Sequence, residues 1–284
     1  MNELPFVSAV SNTRVHRTWL KELVVELSRP RVGMVSSLVR GTGERSLGAA
    51  MENLQLCVGV AAGIVAVQSL TGHSLAVGKS MALSRRALQS IGGLRRAGDH
   101  LAEDHLLGRW MTDSGWVVRT CLHAVDNVNA RCDLSRTAER HTRWARMRRR
   151  VTPWGSGLAL EPVLNPMVPA AVVAATHPTA LTVGALCFAV VFQVLGAALA
   201  LRALRGGEPV WRLAVLEPLR VALALWCWTR AWASDRVSWR GHSFRVGPMT
   251  ALEEVPPGRW LPALPSWRRP SRRRAIRGAV REAA

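Results

Sequence analysis

Up to about Arg150, short apolar runs alternate with polar stretches of helical spacing, a pattern typical of a βα-type globular domain. Apolar runs of strand length predict strands over residues 32–39, 75–83 and 116–121. Amphipathic stretches predict helices over residues 46–56, from Ser84 to the Gly92-Gly93 pair, and over residues 100–114 and 134–149. This part of the chain is therefore expected to fold as an α/β domain.

Beyond Arg150 the pattern changes to long apolar runs. Residues 179–201 form 23 positions without a charged side chain, long enough to cross a hydrocarbon core of about 30 Å. Residues 162–176 are also uncharged, and the His177-Pro178 pair between the two runs is typical of a turn. The sequence therefore predicts a membrane hairpin.

Two other apolar segments leave alternatives open. Residues 213–233 are interrupted by Glu217, Pro218 and Arg220, which fits a third span or an amphipathic helix in the interface. Residues 53–78 carry no charge unless a histidine is protonated. They are either a buried helix and strand or a segment that lies against or dips into the bilayer.

The charge pattern points to an anionic partner. Lysine and arginine together number 38 against 19 acidic residues, and all but two of the 38 are arginine. Arginine suits phosphate and carboxylate groups because its planar, permanently charged fork binds them in a bidentate way. With 49% hydrophobic residues and no recognised nucleic-acid-binding motif, a membrane surface is favoured over nucleic acid as the partner.

The same arginines predict orientation. Arginine-dense segments, 140–150 and 202–212, flank the apolar hairpin on both sides. By the positive-inside rule both flanks face the cytoplasm, which two crossings satisfy. A third crossing would export the Arg- and Pro-rich tail from Arg259, so the interfacial alternative is favoured for residues 213–233.

The five cysteines exclude two kinds of site. They form no CxxC pair and no spacing that suits a metal, and Cys187 and Cys227 lie in apolar segments. Neither a disulfide framework nor a zinc site is predicted from them.

Four short motifs in the first half have structural and functional interpretations. Glu103 and Asp104 at a helix start are favourable because of the helix dipole alone. A basic helix beside a membrane is usually a lipid-headgroup contact, and Gly78 within a strand is usually a bulge. The order of the motifs along the chain favours function. They are Gly78-Lys-Ser-Met-Ala-Leu-Ser-Arg85, Ile91-Gly-Gly-Leu94, Ala102-Glu-Asp-His105 and Arg140-His-Thr-Arg-Trp144.

In this order the motifs resemble those of the ceramide glucosyltransferases and their bacterial hopanoid-associated relatives. The resemblance runs from about Ser11 to Val255. It implies an α/β fold, here a partial GT-A-type nucleotide-sugar domain followed by a helical membrane region. The boundaries expected are a catalytic domain over residues 1–150, a membrane hairpin with a broken apolar helix over 151–235, and a basic tail over 236–284.

The resemblance also implies roles. Asp104 would take the proton of the acceptor hydroxyl, with Glu103 beside it as partner. Arg140 and Arg143 would bind the diphosphate of a nucleotide sugar, and Trp144 would pack at the sugar or acceptor. The partners implied are UDP-glucose or a similar donor and a lipid hydroxyl, as in ceramide or diacylglycerol, in an inverting transfer at the cytoplasmic membrane face.

One departure from the family is expected to matter. The resemblance implies Mg²⁺ or Mn²⁺ held by an aspartate just before the stretch that matches Ser11-Asn-Thr-Arg-Val15, but Ala9-Val10 stand there. The family's first nucleotide-binding section would precede this point, so the sequence looks N-terminally truncated and no metal ligand is assigned. The alternative function is therefore a catalytically inactive membrane remnant or scaffold of the same fold.

Overall fold

The structure is a computed structural model that describes residues 5–239 and 242–255. A five-stranded mixed sheet has the order β1-β4-β3-β5-β2. The central strands β3 and β5 are parallel, and the other neighbours are antiparallel. The strands are β1 (Phe6–Ala9), β2 (Thr13–Arg14), β3 (Val32–Thr42), β4 (Ser80–Leu83) and β5 (Val117–Val128).

Helices cover both faces of this sheet. In β4, Ala82 packs in the cluster formed with Leu23 of α1, whereas its neighbour Leu83 packs in the cluster on the side of α4 and α5. Successive strand residues point to opposite faces, so α1 lies on the face opposite to α5. The helices are α1 (Trp19–Leu27), α4 (Arg85–Ser90) and α5 (Glu103–Asp113). The mixed α/β class predicted from the sequence is confirmed.

The predicted strand over residues 75–83 is too long, because only Ser80–Leu83 is a strand. The Gly78 N–H donates to the carboxylate of Asp104 rather than to a neighbouring strand. A backbone donor taken by a side chain is lost to the sheet ladder, so the segment before Ser80 stays irregular.

The uncharged segment after β3 is one long helix. Ser46 caps it by accepting a hydrogen bond from the Ala49 N–H, and the helix continues past the predicted end at residue 56. It comprises α2 (Leu47–Leu54), a π-helical stretch (Gln55–Ala61) and α3 (Ala62–Thr71). Of the two alternatives for residues 53–78, the buried helix and strand does not form, because residues 53–71 are helical and no strand lies between Gly72 and Gly78. Leu47–Thr71 is long and apolar enough to span a membrane, which favours the alternative in which this segment contacts the bilayer.

The second half of the described chain is helical. Among the described residues, Ala180–Arg205 is the other helix long and apolar enough to span a membrane. The predicted partner run over 162–176 is not one straight helix, because α7 and α8 are bent by 69° and count as one further span only if taken together. The helices are α6 (Leu134–Val151), α7 (Ser156–Leu164), α8 (Met167–Thr176), α9 (Ala180–Arg205) and α10 (Val210–Ala233).

The segment predicted to be broken is an unbroken helix, α10. Its charged residues Glu217 and Arg220 pair with each other, and Glu217 is fully buried. Arg220 also donates to Gln55 of the π-helical stretch, and Gln193 of α9 donates to Glu217. The helix continues through these positions because their polar groups are satisfied by neighbouring helices.

Arginines join the helical region to the sheet. Arg205, in the last turn of α9, donates to the Gly41 carbonyl of β3 at 2.9 Å and pairs with Glu44 at 2.7 Å. Arg40 of β3 donates in return to the Leu204 carbonyl at 2.6 Å. The C-terminal end of α9 is thereby fixed against the end of the sheet.

The predicted basic tail, residues 236–284, begins with folded structure. Three antiparallel strands, β6 (Arg236–Trp239), β7 (His242–Val246) and β8 (Leu252–Glu254), form a second sheet. Val237 and Val246 pack with Leu101 and with Met147 of α6. The tail from Arg259 lies outside the described residues.

Candidate active site

A cavity of about 800 Å³ lies between α6, α10 and the start of β6. Its lining is strongly basic, since six of its residues are arginines and one is an acid. The six arginines are Arg136, Arg140, Arg143, Arg146, Arg230 and Arg236, and the acid is Glu139. Such an excess of positive charge in one concave site favours an anionic ligand with several charged oxygens.

Arg143 is the arginine best placed for such a ligand. It makes no hydrogen bond or ion pair with any residue of the described ranges. Burial lowers the pKa of Arg143 and the positive charge of Arg140 adds to this effect, while Glu103 opposes it. The guanidinium remains charged at neutral pH, so an arriving anion would stabilise a partly desolvated cation.

Arg140 is held in place by an ion pair with α2. It pairs with Glu52 of α2, whose side chain is 2% exposed, whereas Arg140 itself is 30% exposed. Beside this pair, Lys79 donates to the side chain of Asn12 at 3.1 Å. Burial lowers the pKa of Lys79, and the charge of Arg140 lowers it further while Glu52 raises it. Three further residues therefore lie beside the candidate site, and the sequence motifs assigned a role to none of them: Lys79, Glu52 and Asn12.

Asp104 is oriented by two backbone donors. The Gly78 N–H donates to Oδ2 at 2.6 Å and the His105 N–H donates to Oδ1 at 2.8 Å. A Cβ at position 78 would lie 3.0 Å from Oδ2 of Asp104, so a side chain there would displace this carboxylate by a few tenths of an ångström. The predicted bulge is thus a contact that fixes a carboxylate.

Glu103 provides the second carboxylate of this pair. Desolvation by the surrounding protein raises the pKa of Glu103, the neighbouring Asp104 carboxylate raises it further, and Arg143 lowers it. Glu103 and Arg143 therefore interact electrostatically across the gap between α5 and α6. The structure brings four predicted residues into one region: Glu103, Asp104, Arg140 and Arg143.

Trp144, the fifth predicted residue, does not line the cavity. Its ring packs edge-on against His141, with centroids 5.0 Å apart and planes at 81°. Successive helix residues point about 100° apart, so Trp144 leaves the cavity face that Arg143 occupies. Burial lowers the pKa of His141 to about 4, and the positive charges of Arg148, Arg140 and Arg220 contribute.

The end of the basic helix holds the second sheet. Arg146 donates to the backbone carbonyls of Ser234 and Arg236. Arg149 and Arg150 both pair with Asp235. These arginines are consequently occupied by protein groups, unlike Arg143.

Within the described part of the chain, the carboxylates near the cavity do not gather into a group that could hold Mg²⁺ or Mn²⁺. Glu52 is committed to Arg140, and both oxygens of Asp104 accept backbone hydrogen bonds. Ala9 and Val10, at the end of β1, offer no carboxylate. Hard divalent cations need several free oxygen ligands, so these residues do not fit Mg²⁺ or Mn²⁺.

The fold places a basic cavity close to a pair of carboxylates, in a chain with two helices long and apolar enough to span a membrane. Residues 6–252 match the model of glycosyl transferase family 21. The chain belongs to this family, which confirms the resemblance drawn from its motifs, and it is a glycosyltransferase. No curated protein matched the chain.

Proposed function

We propose that this glycosyltransferase transfers a hexose from a nucleotide diphosphate sugar to a hydroxyl of a membrane lipid, with inversion at the anomeric carbon. The observation that carries the proposal is Arg143, whose side chain has no hydrogen bond or ion pair among the described residues. It lies in the basic cavity between α6, α10 and the start of β6. The sheet is inferred to be the core of a GT-A-type nucleotide-sugar domain. The basic flanks of the predicted hairpin favour the cytoplasmic side for this sheet.

The donor diphosphate would bind to Arg143 and Arg140. As the bond between the anomeric carbon and the phosphate oxygen breaks, negative charge develops on the leaving diphosphate. Arg143 stabilises that charge, and Glu52 keeps Arg140 in position. Preorganised donors of this kind act most strongly in a partly desolvated site.

The acceptor would lose its proton to the carboxylate pair. Asp104 is the base by resemblance, and each of its oxygens accepts one backbone hydrogen bond, which leaves acceptor capacity for the proton of the acceptor hydroxyl. The hydroxyl oxygen then attacks the anomeric carbon on the side opposite to the diphosphate. A lipid acceptor fits because the cavity is bordered by α10, where Trp226 is 57% exposed.

The test is a transfer assay with the purified chain in nanodiscs. UDP-glucose and UDP-N-acetylglucosamine are supplied as donors, ceramide and diacylglycerol as acceptors, and glycolipid is measured by mass spectrometry. We expect Arg143→Ala to lower turnover by about 10²–10³-fold. The matched control is Arg95→Ala. Arg95 is exposed, and its side chain makes no hydrogen bond or ion pair among the described residues.

Equal turnover of the Arg143 and Arg95 variants would overturn the role of the cavity. Nucleotide-sugar binding without turnover of the unaltered chain on any lipid would favour the catalytically inactive alternative, which the Ala9-Val10 sequence supports.

A further inference from the structure

Two histidines and a glutamate meet on the face of the sheet opposite to α5. His16 follows β2, Glu22 belongs to α1 and His123 belongs to β5. One ligand atom from each lies within 4.8 Å of the other two. None of the three residues contributes to the basic cavity, so the group needs an explanation of its own.

The spacing of the ligand atoms suits one small cation. His123 Nδ1 lies 3.1 Å from Glu22 Oε2, and His16 Nε2 lies 3.7 Å from the same oxygen. The two imidazole rings are stacked with centroids 3.7 Å apart. Ligands about 2.0–2.1 Å from a tetrahedral zinc ion lie about 3.3 Å from one another, a value between the two distances. Small side-chain movements would complete the coordination.

Hydrogen bonding leaves the lone pair of His16 free for this role. The Thr18 hydroxyl donates its single proton to Glu22 Oε1 at 2.5 Å. His16 Nδ1, 3.0 Å from the same hydroxyl, must therefore be the donor to it. Neutral His16 then carries its lone pair on Nε2, which is buried and has no hydrogen-bond partner among the described residues. A ligating histidine whose other nitrogen donates to a neighbouring oxygen is the usual arrangement at a metal.

Charge and accessibility agree with this arrangement. The carboxylate of Glu22 faces both imidazoles, at 3.1 Å from His123 Nδ1 and 3.7 Å from His16 Nε2. The His123 side chain is 58% exposed, which gives an ion a path from solvent. Two imidazole nitrogens and one carboxylate are ligands typical of zinc, and Mg²⁺ prefers all-oxygen sites.

We propose that His16, Glu22 and His123 bind a zinc-type divalent transition metal, with water in the fourth position. The ion would tie the segment between β2 and α1 to β5. This segment follows directly on β2, which begins next to Asn12, the residue that accepts a hydrogen bond from Lys79 in the active-site region. The ion would thus join elements of the fold, at a site separate from the carboxylate pair beside the basic cavity.

The test measures zinc binding to the full chain purified in detergent with an affinity tag that contains no histidine. After chelation and removal of the chelator, Zn²⁺ is titrated in competition with a chromophoric indicator. We expect one ion per chain, with roughly tenfold or greater loss of affinity in His123→Ala, His16→Ala and Glu22→Gln. Thr18→Val removes no ligand, only the hydroxyl that hydrogen-bonds to His16 and to Glu22. It should weaken zinc binding about 10- to 100-fold. The matched control is His73→Ala, an exposed histidine outside the group.

Two further readouts protect the test from folding artefacts. Co²⁺ in place of Zn²⁺ should give the visible absorption of a tetrahedral site in the unaltered chain, and Zn²⁺ should raise its melting temperature but not that of His123→Ala. The proposal is overturned if the unaltered chain shows neither stoichiometric zinc nor this spectrum, because the group is then an ion pair. Equal zinc affinity of the control and all three ligand variants would also overturn it.

Discussion

Removing Glu217 alone should destabilise the helical region strongly. The Glu217 side chain is fully buried and that of Arg220 is 9% exposed, with a 2.5 Å contact between them. Glu217→Leu would leave the guanidinium of Arg220 buried with only the Gln55 side chain as partner. Breaking a buried pair by removing one charge typically costs about 3–5 kcal/mol in unfolding free energy.

The double variant Glu217→Leu/Arg220→Met separates this effect from lost packing. It removes both charges, so most of the lost stability should return, because apolar replacement of a whole buried pair is often neutral or stabilising. The measurement is thermal unfolding in detergent, where the single variant should lose roughly 6–20 °C in melting temperature. The reasoning is refuted if the double variant is at least as unstable as Glu217→Leu.

Three other predictions concern the active-site region. Gly78→Ala should lower turnover with little change in melting temperature, because the added Cβ would lie 3.0 Å from Oδ2 of Asp104; unchanged turnover would contradict the close contact. Burial raises the pKa of Glu103 and the like charge of Asp104 raises it further, so Asp104→Asn should lower the pKa of Glu103 in an infrared titration of the carboxyl band, and an unchanged pKa would show that the two carboxylates do not interact. His141 titrates near 4 when folded instead of 6.5, so the folded protein binds fewer protons and stability falls from pH 6.5 towards pH 4 by roughly 3 kcal/mol. Between pH 6.5 and pH 4, the unfolding free energy measured with urea should fall less in His141→Gln than in the unaltered chain. An equal fall in both proteins would contradict the lowered pKa of His141.

Local pattern was sufficient where local interactions decide the structure. The strand at β3, the basic helix α6 and the apolar helix α9 follow from runs of one residue class, and all three are present. The same holds for Glu103 and Asp104 at the start of α5. The order of the motifs also predicted that Arg140 and Arg143 belong to the same site as these acids, and the structure brings them to the same region.

Tertiary partners decided what local pattern missed. The strand β4 begins later than predicted because the Gly78 N–H binds Asp104, 26 residues away. Glu217 and Arg220 look like breaks in an apolar helix until Gln55 and Gln193 are in place around them. The position of Lys79 beside Arg140 and Glu52 could not be predicted either, although Lys79 is one of only two lysines in the chain.

The central claim is that the carboxylate pair beside the basic cavity drives transfer of a sugar to a lipid. Its most direct test is turnover of Asp104→Asn with a nucleotide sugar and a lipid acceptor in nanodiscs. The account predicts that turnover falls roughly 10²–10⁴-fold while nucleotide-sugar affinity and melting temperature stay close to those of the unaltered chain. Unchanged turnover in Asp104→Asn would contradict the account, because Asp104 would then serve only to begin α5.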